Sequence, residues 1–125
     1  MGGATVRGFG ELEAAVMDRL WSWGRPAIVR DVLDDLNKER DLAYTTVMTV
    51  MDNLHRKGWL TRERDGRAYR YAPVATRQQY NAELMREILA DSGDQAGTLL
   101  RFVETVTPEE ADAIRRALRS RGPGR

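Results

Sequence analysis

The sequence contains no cysteine and a single histidine, His55. That excludes disulfides, cysteine metal sites and thiol nucleophiles, and it leaves no second imidazole for a metal cluster or proton relay. No run approaches the ~20 apolar residues that span a bilayer. The opening MGGATVRG also lacks the apolar segment of a secretory signal. The expectation is a cytoplasmic protein with no cofactor, no metal and no catalytic activity. An excess of one charge is missing too. With 20 Lys and Arg against 19 Asp and Glu, the net charge is +1, so the chain as a whole is not a polyelectrolyte. What it does have is 125 residues, 42% hydrophobic and 31% charged, which suits one folded domain with a modest extension.

The charge is distributed unevenly. Residues 43–71 are net basic and residues 76–120 net acidic, as a nucleic-acid reader with a separate association module requires. Within the basic stretch, Val47, Val50, Met51 and Leu54 recur at i, i+3, i+4 and i+7, one face of a helix. Thr45, Thr49, Asp52 and Arg56 fall on the opposite face, flanked by Thr46 and Asn53 on one side and Met48 on the other. A merely solvated helix commonly carries Glu and Lys there. Short hydroxyl and amide groups instead suit base edges in a DNA major groove, which admits a helix.

Gly58 ends this helix, with His55, Arg56 and Lys57 in its last turn, where cations oppose the helix dipole. Two short strands are expected at 59–64 and 67–71 around Asp65-Gly66, read as a type I′ turn. The hairpin carries Arg62, Arg64, Arg67 and Arg70, interleaved with Trp59, Tyr69 and Tyr71. A polar-faced helix followed by a basic hairpin is the layout of a winged helix-turn-helix, whose wing lies over phosphates.

The remaining elements fit that plan. Leu12, Val16 and Leu20 mark a helix at 11–21 that Gly24 stops, and Val29, Val32, Leu33 and Leu36 mark a second. The intervening 25–27 connector reads as a minimal strand against the wing. Arg30, in the first turn of the second helix, reads equally as a phosphate contact or a solvated cation. Beyond Pro73, helices are expected from Thr76 to about 92, at 96–106, and from the capping box Thr107-Pro108-Glu109-Glu110 onward. Leu84, Ile88, Leu99, Phe102, Val103, Val106, Ile114 and Leu118 form apolar stripes larger than one small domain covers. An intertwined two-fold homodimer is therefore expected. The fold class is mostly α with a small antiparallel β wing. It divides into an arm at 1–9, a winged helix DNA-binding domain at 10–74, a helical dimerisation region at 75–120 and a tail at 121–125.

The segments GELEAAVMDRLW, VRDVLDDL, YTTVMTVMDNLHRKGWL and RDGRAYRYAP, in this order, resemble those of the BlaI/MecI family of bacterial β-lactamase repressors, from residue 10 to residue 120. The resemblance implies a dimeric repressor on double-stranded palindromic operators with TACA-type half-sites, controlling genes of antibiotic resistance. By position, Thr45, Thr46 and Thr49 would face bases. Arg30, Asn53, Arg56, Lys57, Arg62, Arg64, Arg67 and Tyr69 would make up the phosphate and wing set. It also implies induction through a membrane-bound β-lactam sensor protease that acts indirectly and leads to cleavage at an Asn–Phe bond. The matching bond is Arg101–Phe102, with the Phe present and the Asn replaced by Arg. A different protease, a shifted bond and release by another route all remain open. So do a ligand-sensing regulator and a winged helix serving as a protein-interaction module.

Overall fold

Three apolar stripes converge on one core. In the computed structural model, which describes residues 8–122, α1 (Glu11–Trp23), α2 (Val29–Leu36) and α3 (Tyr44–Arg56) precede β1 (Leu60–Asp65) and β2 (Ala68–Pro73). Then follow α4 (Arg77–Ala90), α5 (Gln95–Val103) and α6 (Pro108–Arg121). The expected class, helices with a small antiparallel wing, is the one observed. The arm expected at 1–9 and the tail expected at 121–125 fall mostly outside the described residues.

The stripes bury Val16, Met17 and Leu20 of α1, Val29, Val32, Leu33 and Leu36 of α2, and Val47, Met51 and Leu54 of α3. Leu60, Tyr71 and Ala27 close the core. Full burial of each large side chain contributes about 1.5–3 kcal/mol relative to exposure. That fixes helices too short to persist alone in water. Polar ties set their angles. Arg19 of α1 pairs with Asp35 of α2 at 2.9 Å, and Lys57 reaches Glu13 at 2.7 Å. The turn between α2 and α3 is clamped by Asn37, whose amide donates to Leu42 O (3.0 Å) and accepts from Leu42 N (2.8 Å). At the end of α3, Gly58 takes φ 89°. Its N–H bonds His55 O while that of Trp59 reaches back to Leu54 O, a Schellman stop.

The wing differs from its expected register. Asp65 is the last residue of β1 and pairs with Ala68, so Gly66-Arg67 makes the connection. Gly66 has φ 67° and, among the described residues, no non-glycine residue has positive φ, as in a type II′ turn rather than the type I′ expected at Asp65-Gly66. The reason is cross-strand pairing. An Asp65-Gly66 turn would set Arg64 against Arg67, whereas the observed register sets Arg64 against Tyr69 and Glu63 against Arg70. The 25–27 connector does form the minimal third strand: Ala27 N donates to Tyr71 O (3.0 Å) and Tyr71 N to Ala27 O (2.8 Å).

The first compact unit continues through Leu84, past the boundary expected at 74/75. An aromatic clasp carries it there. Phe9, expected in the arm, stacks on Tyr80 with centroids 4.1 Å apart, and Trp59 meets both rings edge-on. The Tyr80 hydroxyl accepts from Phe9 N–H at 2.9 Å. Trp21 donates to Ala75 O at 2.9 Å, so the entry to α4 is held on α1.

The second unit begins at Met85. Here α5 opens on Asp94, whose carboxylate accepts from Gly97 N at 2.9 Å. It stops at Val103, short of the expected 106, because both the backbone N–H and the hydroxyl of Thr105 turn back to Phe102 O. The capping box of α6 forms as expected, Thr107 Oγ1 accepting from Glu110 N (3.1 Å) and Glu110 Oε1 from Thr107 N (2.9 Å). The helix runs through Arg121, the first residue of the expected tail.

The Arg19 hydrogen bond, with Lys38 adding to it, holds the Asp35 carboxyl below its ordinary value of 3.8. A depressed folded-state pKa stabilises above the unfolded value and ceases to do so as pH falls through the folded one. Asp35→Asn should therefore lower the melting temperature near neutral pH and converge with wild type well below pH 3.8. Melting curves across pH check this, and a constant offset at all pH values would refute it.

Candidate nucleic-acid interface

The face of α3 opposite its core stripe is open. Thr45, Thr46 and Thr49 are all exposed, and Asn53 is half-buried. Ala43 provides no side-chain cap, so the first-turn N–H groups of α3 lack a side-chain acceptor. Toward the C-terminal end the face becomes charged. Asp52 receives Arg56 of its own helix at 3.2 Å and Arg62 of the wing at 3.0 Å. Arg56 also donates to Asn53.

Alternation along the hairpin puts Arg62, Arg64, Tyr69 and Tyr71 on one of its faces. Arg62 lies over the Tyr69 ring at 4.1 Å, and Arg64 lies over it at 4.9 Å. Tyr71 is buried and anchors this face to the core. Its hydroxyl accepts from Arg62 at 3.4 Å. That bond foremost, with Asp52 adding to it, holds the Arg62 guanidinium even more firmly protonated than a free arginine. On the other hairpin face Arg70 pairs with Asp65 at 2.5 Å.

The expected phosphate and wing set thus divides. Arg64 and Arg67 are exposed on the wing, and Arg30 is exposed over the Tyr44 ring at 5.2 Å. Tyr69 is half-buried between two guanidinium groups. Arg62 is a strut between wing and helix, while Arg56 and Lys57 are engaged by Asp52 and Glu13. Sequence reasoning left Asp52 without a role, although its i,i+4 spacing to Arg56 was a readable signal. It also missed Tyr44, which opens the helix and is 41% exposed.

The second unit contains no buried residue among those described. Ile88, Leu99, Phe102, Val103, Ile114 and Leu118 are all exposed, while Leu84 and Val106 are half-buried. Arg101, beside Phe102 within α5, pairs with Glu104 at 3.4 Å. Among the described residues no group of His, Asp and Glu could hold a metal ion, and no helix is long and apolar enough to cross a membrane.

A three-helix core, a basic antiparallel wing and an exposed polar helix face define a winged-helix protein. Solved structures agree at the level of fold. The solution structure of the DNA-binding domain of the repressor BlaI matches with TM-score 0.52 at 24% identity, covering 60% of this chain and 90% of that one. A MarR-family transcriptional regulator from Rhodococcus sp. RHA1 matches with TM-score 0.52 at 16% identity, covering 93% and 76%. The penicillinase repressor family model matches residues 9–120, and the chain belongs to that family. Two curated relatives, each named transcriptional regulator BlaI, come from Mycobacterium tuberculosis strains CDC 1551 and H37Rv. Both are 51% identical over 118 residues, covering 92% of this chain and 86% of theirs. Their names are those of regulators and not of enzymes.

If Arg62 is the strut and Arg64 is not, Arg62→Ala should speed amide hydrogen exchange across 60–73, whereas Arg64→Ala should leave it near wild type. Equal exchange in the two variants would refute the assignment.

Proposed function

We propose that this chain is a cytoplasmic transcriptional repressor that binds palindromic operators as a homodimer and controls β-lactam-response genes. The observation that carries the DNA-binding part is the row of exposed Thr45, Thr46 and Thr49 on α3, beside a wing whose arginines are preset on tyrosine rings. Hydroxyl groups bond base edges in the major groove, and Arg30, Arg64 and Arg67 are free to meet phosphates on either side. The uncapped start of α3 leaves backbone N–H groups suited to a phosphate oxygen. Family membership and the regulators named BlaI support the repressor role.

The dimer rests on a different observation. Beyond Tyr80 no described side chain is buried, yet α5 presents Leu99, Phe102 and Val103, about half exposed, and α6 presents Ile114 and Leu118. Apolar area on this scale marks an association surface. A second copy would cover it and would also supply the second reading helix that a palindrome requires. Derepression then follows from loss of the dimer. Cleavage at Arg101–Phe102 would separate α6 and the end of α5 from the rest, and a monomer on one half-site loses the gain from two linked contacts. The inducing signal would come indirectly from a membrane-bound β-lactam sensor.

Fluorescence anisotropy on a TACA/TGTA palindrome and a scrambled duplex tests the reading. The palindrome should bind tighter by a factor on the order of 10³ or more, with affinity falling steeply as salt rises. Thr49→Ala should cost about 1–3 kcal/mol on the palindrome and little on the scramble, while Arg64→Ala should weaken both alike. Equal binding of the two duplexes by wild type would refute operator recognition. Sedimentation equilibrium should give a wild-type dimer and, for Leu99→Asp, a folded monomer. A wild-type monomer at micromolar concentration would refute the association.

A further inference from the structure

Large apolar side chains are almost absent from the surface of the first unit. Among its described residues the exposed ones are Tyr44, Met48 and Val74. Two of these three stand side by side. Tyr44 and Met48 are i and i+4 on α3, 41% and 40% exposed, so they form a row parallel to Thr45 and Thr49. The apolar row lies on the wing side of the threonine row. Both side chains wall an open notch of about 240 Å³ whose other lining includes Ile28, Arg67, Tyr69 and Tyr71. An isolated exposed apolar residue is ordinary. A pair beside a polar reading row, on the helix that faces DNA, is a matched surface.

Resting on the operator-binding reading above, we infer that Tyr44 and Met48 read thymine: their exposed apolar surface covers the C5-methyl group that thymine presents in the major groove. The threonine hydroxyls bond the polar base edges, and the adjoining row takes the one apolar mark the groove offers. The two side chains are differently prepared for this. The Tyr44 ring is held by the Arg30 guanidinium 5.2 Å from its centroid. The guanidinium thus braces the ring on one side and stays close to where a phosphate would pass. Met48 is unbranched and polarizable, and the open notch leaves it room to adjust around a methyl. Neither side chain belongs to the buried core, so changing either leaves the packing of α3 intact.

The test replaces thymidine by deoxyuridine in the palindrome that wild type prefers, one symmetric pair of positions at a time. This removes a methyl and leaves every hydrogen-bonding group in place. At the contacted pair, wild type should bind about three- to fivefold more weakly per methyl, or about ten- to twenty-five-fold for both half-sites together. Met48→Gln, which keeps length but adds polarity, and Tyr44→Ala should each shrink that ratio toward one. Met48→Leu should retain it. Melting curves establish that the variants are folded, and Met48→Ala serves as a second truncation. A wild-type ratio of one at every thymine overturns the inference while leaving operator binding standing, because the palindrome would still be preferred to the scramble. A ratio that persists undiminished in both Met48→Gln and Tyr44→Ala also overturns it. If wild type prefers no duplex, the operator reading and this inference fall together.

Discussion

One carboxylate joins α3 to the wing. Asp52 accepts from Arg56 of α3 and from Arg62 of β1, and Arg62 is fixed in turn against the Tyr69 ring and the Tyr71 hydroxyl. Tyr71 is buried and bonded through its backbone to Ala27, so the chain of contacts ends in the core. A two-stranded hairpin alone is marginal in water. This one is held at its base by Ala27 and along its length by a cation between two rings. The relative position of α3 and the wing is what a groove-and-phosphate reader must keep constant, and here it is set by side chains that touch both.

The second constraint is an absence of burial. The clasp of Phe9, Trp21, Trp59 and Tyr80 completes the first unit, and no described side chain after Tyr80 is buried. Helices α5 and α6 are well capped by Asp94 and by the Thr107 box, so their ends are locally specified. Their faces are not. Capping contributes about 1 kcal/mol per helix, far less than ordering nine and fourteen residues costs. On the proposed reading, the remainder would come from a second copy covering those faces.

Legibility in the sequence followed the range of the interaction. The i, i+3, i+4 and i+7 stripes of α2 and α3, the Gly58 stop and the Thr107 box are local, and each appeared where the residues put it, whereas the stripe of α5 was cut short at Val103. The wing register was misread because the Asp65-Gly66 dipeptide is a local signal, whereas register answers to residues facing each other across the strands. Arg64 against Tyr69 outweighed the preferred turn pair. Phe9 was misplaced for the same reason, its partner Tyr80 lying 71 residues away. On α3, the exposed threonines were legible from helical phase. That Arg62 is a strut rather than a free cation was not, because it depends on which way a long side chain turns.

Internal pairing has a consequence for binding. Of the cations that made the 43–71 stretch basic, Arg56, Arg62 and Arg70 are matched to carboxylates, as is Lys57 through Glu13. At physiological salt, interactions between exposed charges are screened within about 8 Å, so what counts is the local supply of unmatched cations. Among the described residues beside α3 and on the wing, Arg30, Arg40, Arg64 and Arg67 have no carboxylate partner. A few phosphate contacts give one copy only a weak, sequence-blind grip. On the proposed reading, discrimination would come from short-range contacts on α3, and useful affinity from linking two such surfaces. On the operator-binding reading proposed above, the modest charge of the first unit and the exposed apolar faces of the second unit fit together: a single copy would be a poor ligand for DNA, and the state of its association surface would decide whether it is bound.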